Sequence, residues 1–269
     1  MSGPILLFDS GVGGLSVAAA LRARLPSAAL AYVCDNAMLP YGTKPDAWLV
    51  TRIADVCCAA VKASGASALV VACNTASTLA LCELRERLSI PVIGTVPAIK
   101  PAVAASRSGT FGLLATSATV NRPYTDALIQ EFAAQCQVIR VAADALVAQA
   151  ERALAGEALD SRVLAAGLAP LWVAPALDTV VLGCTHFPLL VEQLDACAPR
   201  PISWIDSGDA IARRVASVVA SPALASGAGT AWATLPSSGL ATALARYGFA
   251  APRRLTGIAL PTASSGAFR

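Results

Sequence analysis

Val70-Val71-Ala72-Cys73-Asn74-Thr75 and Val180-Val181-Leu182-Gly183-Cys184-Thr185-His186 are two apolar, β-branched runs, and each stops at a thiol with a threonine close behind. Short, continuously apolar runs bounded by polar residues read as strands buried on both faces, the signature of a parallel sheet. In open α/β folds, ligands bind in the crevice beyond the carboxyl ends of the strands. Both thiols therefore stand where such a fold does its chemistry.

The surrounding chain keeps the same alternation. Strands are expected at Ile5–Phe8, Leu30–Val33, Ala68–Ala72 and Pro91–Ile93, then at Thr110–Leu114, Gln137–Val141, Thr179–Leu182 and Ile202–Trp204. Alanine- and leucine-rich helical stretches fill the gaps, among them Gly14–Arg24, Asp46–Ala63, Ala76–Arg87, Val120–Ala133 and Ala145–Leu154. Asp206-Ser207-Gly208-Asp209 reads as the cap of a further helix through Val219.

The two sets of strands correspond. Cys184 follows Cys73 by 111 positions, Pro201 follows Pro91 by 110, and Leu114-Ala115-Thr116 matches Phe8-Asp9-Ser10 at nearly the same offset. Three coincidences in order point to duplication. The expected fold is α/β: two domains related by a pseudo-twofold, each a mostly parallel sheet flanked by helices, with the site in the cleft between them. The expected limits are 1–97 plus 207–250 for the first domain and 98–206 for the second, with 251–269 a disordered tail rich in Ala, Pro, Ser and Gly. Two matched halves, each offering one sulfur, suit a reaction that treats the two faces of a substrate alike, and racemisation is such a reaction.

Composition narrows the rest. In 269 residues the net charge is only +3 and the basic residues are scattered, which argues against a nucleic-acid partner. No stretch reaches the roughly 18–20 apolar residues that span a bilayer, and Asp9 interrupts the apolar start that a signal peptide would need. The expectation is a cytoplasmic protein without a membrane partner. A single histidine excludes a histidine-rich metal centre, and the eight cysteines form no Cys-x-x-Cys pair of the kind seen in zinc and redox sites.

A free thiol ionises near pH 8.5, so a cysteine acting as a base needs a histidine, a helix N-terminus or backbone amides nearby. Cys73 and Cys184 each have polar neighbours, whereas Cys34, Cys57, Cys58, Cys82, Cys136 and Cys197 sit in helical or apolar contexts and read as filler. His186, two residues beyond Cys184, can hold a proton beside it. Asp9 at the first strand end is either an N-cap or a proton-relay group facing Cys73. The run from Phe8 to Ser16 departs from the Gly-x-Gly-x-x-Gly dinucleotide rule and reads equally as an amide-rich pocket for a small anion. The Pro40-Tyr41-Gly42 loop can offer an amide and a hydroxyl to a substrate. Glu151, on its helix, reads as a solvated face residue.

Six blocks in order, FDSGVGGLSV (8–17), PYG (40–42), ACNTAS (72–77), VPAIKPA (96–102), LLATSATV (113–120) and LGCTHFP (182–188), resemble the glutamate branch of the aspartate/glutamate racemase superfamily. The resemblance implies interconversion of L- and D-glutamate without a cofactor, by two bases: Cys73 for the α-proton of D-glutamate and Cys184 for that of L-glutamate. It assigns Asp9 as the acid beside Cys73, His186 as the group assisting Cys184 and Glu151 as a further assisting carboxylate. Substrate contacts would come from Asp9, Ser10, Pro40, Tyr41, Gly42, Asn74, Thr75, Thr116, Thr185 and His186. It also implies a role in peptidoglycan synthesis and a homodimer. The chain departs from the family at Leu39, where phenylalanine is common, and at Val141-Ala142-Ala143-Asp144, which lacks the usual Cys-Pro.

Overall fold

The computed structural model describes residues 3–219 and 221–258. Ten strands form two all-parallel sheets: β1 (Ile5–Asp9), β2 (Leu30–Cys34), β3 (Ala68–Val71), β4 (Val92–Gly94), β5 (Thr110–Ala115), β6 (Gln137–Ala142), β7 (Thr179–Leu182), β8 (Ser203–Ile205), β9 (Thr230–Ala233) and β10 (Arg253–Arg254). The first sheet runs β10-β9-β2-β1-β3-β4 and the second β6-β5-β7-β8. Set side by side, β2-β1-β3-β4 and β6-β5-β7-β8 are the same topology, so the duplication read in the sequence recurs as a repeated strand order. Each sheet is covered on both faces by apolar clusters, which is why β1, β2, β3 and β7 are buried along their whole length and read as continuous apolar runs.

Strand limits agree with expectation to within a residue. The differences have physical causes. The expected helix Val120–Ala133 is two pieces, Ser117–Val120 and Pro123–Phe132, because Pro123 has no N–H to continue the ladder and takes the first turn of a new helix. Thr125 Oγ1 then donates to the freed Thr119 carbonyl at 2.6 Å. The helix expected from Ala76 starts at Asn74, which puts Cys73 at its N-cap position. Asp206 caps the helix Gly208–Val218 by accepting from the Gly208 N–H at 2.6 Å.

β9 and β10 were not expected. β9 lies beside β2 and β10 beside β9, with Arg253 opposite Trp232 and Leu255 buried. The tail expected from 251 is thus ordered through 258, and 259–269 lie outside the described residues. Among the described residues, no helix is long and apolar enough to cross a membrane.

Candidate active site

β1 and β3 are adjacent in the first sheet, and β5 and β7 are adjacent in the second. Their carboxyl ends converge on one narrow cleft, lined by Ser10, Pro40, Tyr41, Gly42, Cys73, Asn74, Thr75, Thr116, Cys184, Thr185 and His186. Leu39, Thr119 and Val147 complete the wall. Eleven of the residues expected at a site thus share one space. Asp9 lies beneath the cleft and is wholly buried, while Glu151 lies behind His186.

Each thiol has its own chain of polar groups. Cys73 Sγ is 3.9 Å from Ser10 Oγ, which is 3.4 Å from Asp9 Oδ1. Asp9 also accepts from the Gly11 N–H at 2.8 Å and from Thr185 Oγ1 at 2.9 Å, so the carboxylate under one thiol is tied to the residue that follows the other. Cys184 Sγ is 3.8 Å from His186 Nδ1, and His186 Nε2 is 2.7 Å from Glu151 Oε1. The two chains differ in one respect. Asp9 is wholly buried and Ser10 nearly so, whereas the Glu151 side chain is 23% exposed and faces a second pocket with Arg152, Glu157 and Ser237.

Burial sets the protonation states. It raises the Cys73 thiol to about 12, helped by the negative charge of Asp9, while the Ala76 N–H at the helix start pulls the other way. Burial also raises Asp9 above the usual carboxylate value, against the opposing charge of His186 and the Gly11 and Thr185 donors. For His186 burial alone would depress the imidazole, but its bonds to Cys184 and Glu151 prevail and hold it well above 6.5. A protonated imidazole 3.8 Å from a sulfur is a positive partner for a thiolate at Cys184.

Two readings from the sequence are revised here. The glycine turn after β1 is an anion pocket, but it holds the protein's own carboxylates: the Val12 N–H donates to Glu151 Oε1 at 2.8 Å as Gly11 does to Asp9. Glu151 is accordingly not a solvated face residue. The Tyr41 hydroxyl does not face the cleft; it donates to Asp35 Oδ2 at 2.9 Å, so Tyr41 and Gly42 offer the cleft backbone. The glycines of the turn are there for close approach. A Cβ on Gly13 would lie 2.5 Å from both His186 Nδ1 and Thr185 Oγ1, and one on Gly11 would collide with the Glu151 carboxylate. Gly13→Ala should therefore cost about 10²-fold or more in turnover by displacing His186, with a loss of roughly 1–3 kcal/mol in stability. Steady-state rates and denaturant titration of the purified variant read both.

Among the described residues, no lysine or arginine lines the cleft. A carboxylate entering it meets hydroxyls, backbone amides and the N-terminus of the helix Asn74–Arg87. Asn74 Oδ1 is buried without a hydrogen-bond partner, an acceptor suited to an ammonium N–H. Among the described residues no three His, Cys, Asp or Glu side chains are grouped to hold a metal ion.

The model of the Asp/Glu/Hydantoin racemase family matches residues 15–215. The chain belongs to that family. Among curated members, it is 49% identical over 224 residues to the glutamate racemase of Shewanella denitrificans, covering 83% of this chain and 80% of that one. It is 45% identical over 255 residues to that of Shewanella halifaxensis, covering 93% and 96%. The crystal structure of Escherichia coli glutamate racemase in complex with L-glutamate and the activator UDP-MurNAc-Ala superposes with a TM-score of 0.89 at 42% identity, covering 94% of this chain and 98% of that one. In this racemase family member the matched range 15–215 takes in Cys73, Glu151, Cys184 and His186, while Asp9 precedes it.

Proposed function

We infer that this chain is an isomerase that interconverts L- and D-glutamate by proton transfer between the substrate Cα and two thiols, with no organic cofactor. The observation that supports this reading is that Cys73 and Cys184 line one cleft and each has its own neighbouring polar groups, Ser10 and Asp9 on one side and His186 and Glu151 on the other. Cys73 removes the α-proton of D-glutamate while Cys184 protonates the opposite face; L-glutamate reverses the roles. Burial favours the protonated form of Cys73, which suits it to act as the acid when L-glutamate is the substrate.

Substrate carboxylates bind to the Tyr41–Gly42 backbone and the Asn74–Thr75 helix start, with Thr116 adding a hydroxyl, and Asn74 Oδ1 accepts from the ammonium. These fixed dipoles in a narrow cleft stabilise the charge that builds as the α-proton leaves. The names of the relatives, glutamate racemases at 45–50% identity, support glutamate as substrate. On this reading D-glutamate supplies peptidoglycan synthesis in the cytoplasm, and the protein works as a homodimer, which analytical ultracentrifugation would read directly.

The test is L-glutamate incubated with purified, reduced protein in heavy water with no cofactor added, followed by α-proton NMR and optical rotation. Loss of the α-proton signal with decay of rotation to zero is expected. No change in either, from folded protein, would move the reading to a non-catalytic amino-acid-binding module.

A further inference from the structure

Outside the cleft and below its rim lies a buried ionic group that the chemistry above does not use. Asp35, just beyond β2, is wholly buried, and Arg52, on the helix Asp46–Ser64, is 5% exposed. The guanidinium grips the carboxylate in a two-pronged bond, Nε to Oδ2 at 2.8 Å and Nη2 to Oδ1 at 2.7 Å. The same Oδ2 accepts from the Tyr41 hydroxyl, and the Asp35 N–H donates to the Asp9 carbonyl at the end of β1 at 3.1 Å. The Tyr41 ring also rests against Phe8 of β1, with centroids 6.4 Å apart. On its other side the loop meets the second half of the molecule, since a Cβ on Gly42 would lie 3.4 Å from Ala118.

We propose that Asp35 and Arg52 are positioning residues for substrate binding: through the Tyr41 hydroxyl they fix the Tyr41–Gly42 backbone where it faces the cleft. A three-residue turn with a glycine at its centre has little to hold its register by itself, and Tyr41 is its one large buried side chain. A neutral anchor for the phenol would suffice for packing. A carboxylate orients it more strongly, but a buried carboxylate is tolerated only when paired, and the planar fork of Arg52 does this while leaving Oδ2 free to accept from Tyr41 as well. The pair thus links the loop to the strand end that bears Asp9, so the part of the cleft that binds and the part that moves protons keep one geometry.

The inference rests on the glutamate reading above, and its kinetic signature is specific. A loop that is competent only part of the time raises the apparent dissociation constant by the inverse of the competent fraction. The two enantiomers share that loop, so their KM values should rise by one common factor while kcat holds. Tyr41→Phe should raise KM for L- and D-glutamate alike by about tenfold, with kcat within twofold, because one charge-assisted bond is lost and both thiols are untouched. Arg52→Met should raise KM further, and Arg52→Lys, which keeps the charge but not the fork, should fall between Arg52→Met and the unaltered protein.

Steady-state kinetics in both directions on these three variants test the proposal, with the unaltered protein alongside. If the unaltered protein does not turn over glutamate, the glutamate reading fails first. If it does, and Tyr41→Phe and Arg52→Lys both keep KM within twofold, the positioning role is wrong. A loss confined to kcat would equally overturn it, since that is what a smaller folded fraction produces. Should Arg52→Met not fold, Tyr41→Phe and Arg52→Lys decide the matter alone.

Discussion

Cys73→Ser and Cys184→Ser should each lower glutamate racemisation by at least about 10³-fold while the protein stays folded. Proton transfer by a positioned group contributes roughly 10²–10⁴-fold, and here the group itself becomes unfit. A free thiol ionises at about pH 8.5, whereas an alcohol hydroxyl gives up its proton only at far higher pH. Serine at either position is therefore too weak an acid to protonate a carbanion efficiently and is almost never present as a base. The fold should tolerate the change, because oxygen is smaller than sulfur and each site offers a polar partner: Ser10 beside position 73, His186 beside position 184. Circular dichroism and a thermal melt check the fold, and polarimetry with a large excess of enzyme checks the rate. A variant keeping a tenth of the activity would remove its cysteine from the mechanism. Both variants should fail in both directions, since every turnover takes a proton at one sulfur and gives one from the other. A one-base mechanism predicts instead that one of the two substitutions is silent.

Much of this site was readable because parallel strands buried on both faces advertise themselves. Val70–Val71 and Val180–Val181 mark their strands by composition, and the residues just beyond a strand end are where the site must be. Cys73 and Cys184, with Asn74, Thr75 and Thr185 beside them, follow from that rule, whereas Ser10 and Thr116 are named only by the family resemblance. What stayed hidden was decided by long-range pairing. Glu151 meets His186 across 35 positions, and its carboxylate is held by the amide of Val12, 139 positions away. No local signal on an alanine-rich helix announces either contact. Arg52 and Asp35 are 17 positions apart in separate elements, and the fork that joins them is invisible in the chain. Thr230–Ala233 escaped because alanine fills half of it, and Arg253–Arg254 because two charged residues on an edge carry no period. At the glycine turn the sequence leaves a dinucleotide loop and a small-anion pocket both open, and it cannot say that the anions held there are the protein's own carboxylates.

Enantiomers have equal free energy in water, so the equilibrium constant is one and kcat/KM must be identical in the two directions, for the unaltered protein and for every variant. An asymmetric role for His186 can therefore appear only in kcat and KM taken separately. With His186→Asn, Cys184 loses both its positive partner and the group that relays its proton to Glu151. Taking a proton from L-glutamate onto Cys184 is the step most exposed to that loss. The kcat from L to D should fall by about 10²-fold and that from D to L by less, with KM for L-glutamate falling further than KM for D-glutamate to keep the ratios equal. The pH dependence fixes the sign. The bonds to Cys184 and Glu151 hold the imidazole well above its ordinary value of 6.5 against the effect of burial, so His186 is charged at neutral pH and loses its proton only as pH rises through that higher value. The gap between the unaltered protein and His186→Asn should be widest near neutral pH and should close in the alkaline range as the imidazolium of the unaltered protein disappears. Initial rates in both directions across that range are the measurement. Equal losses of kcat in the two directions would mean that His186 serves neither face in particular, and the path through Glu151 would then be a structural clamp on the loop rather than a route for the Cys184 proton.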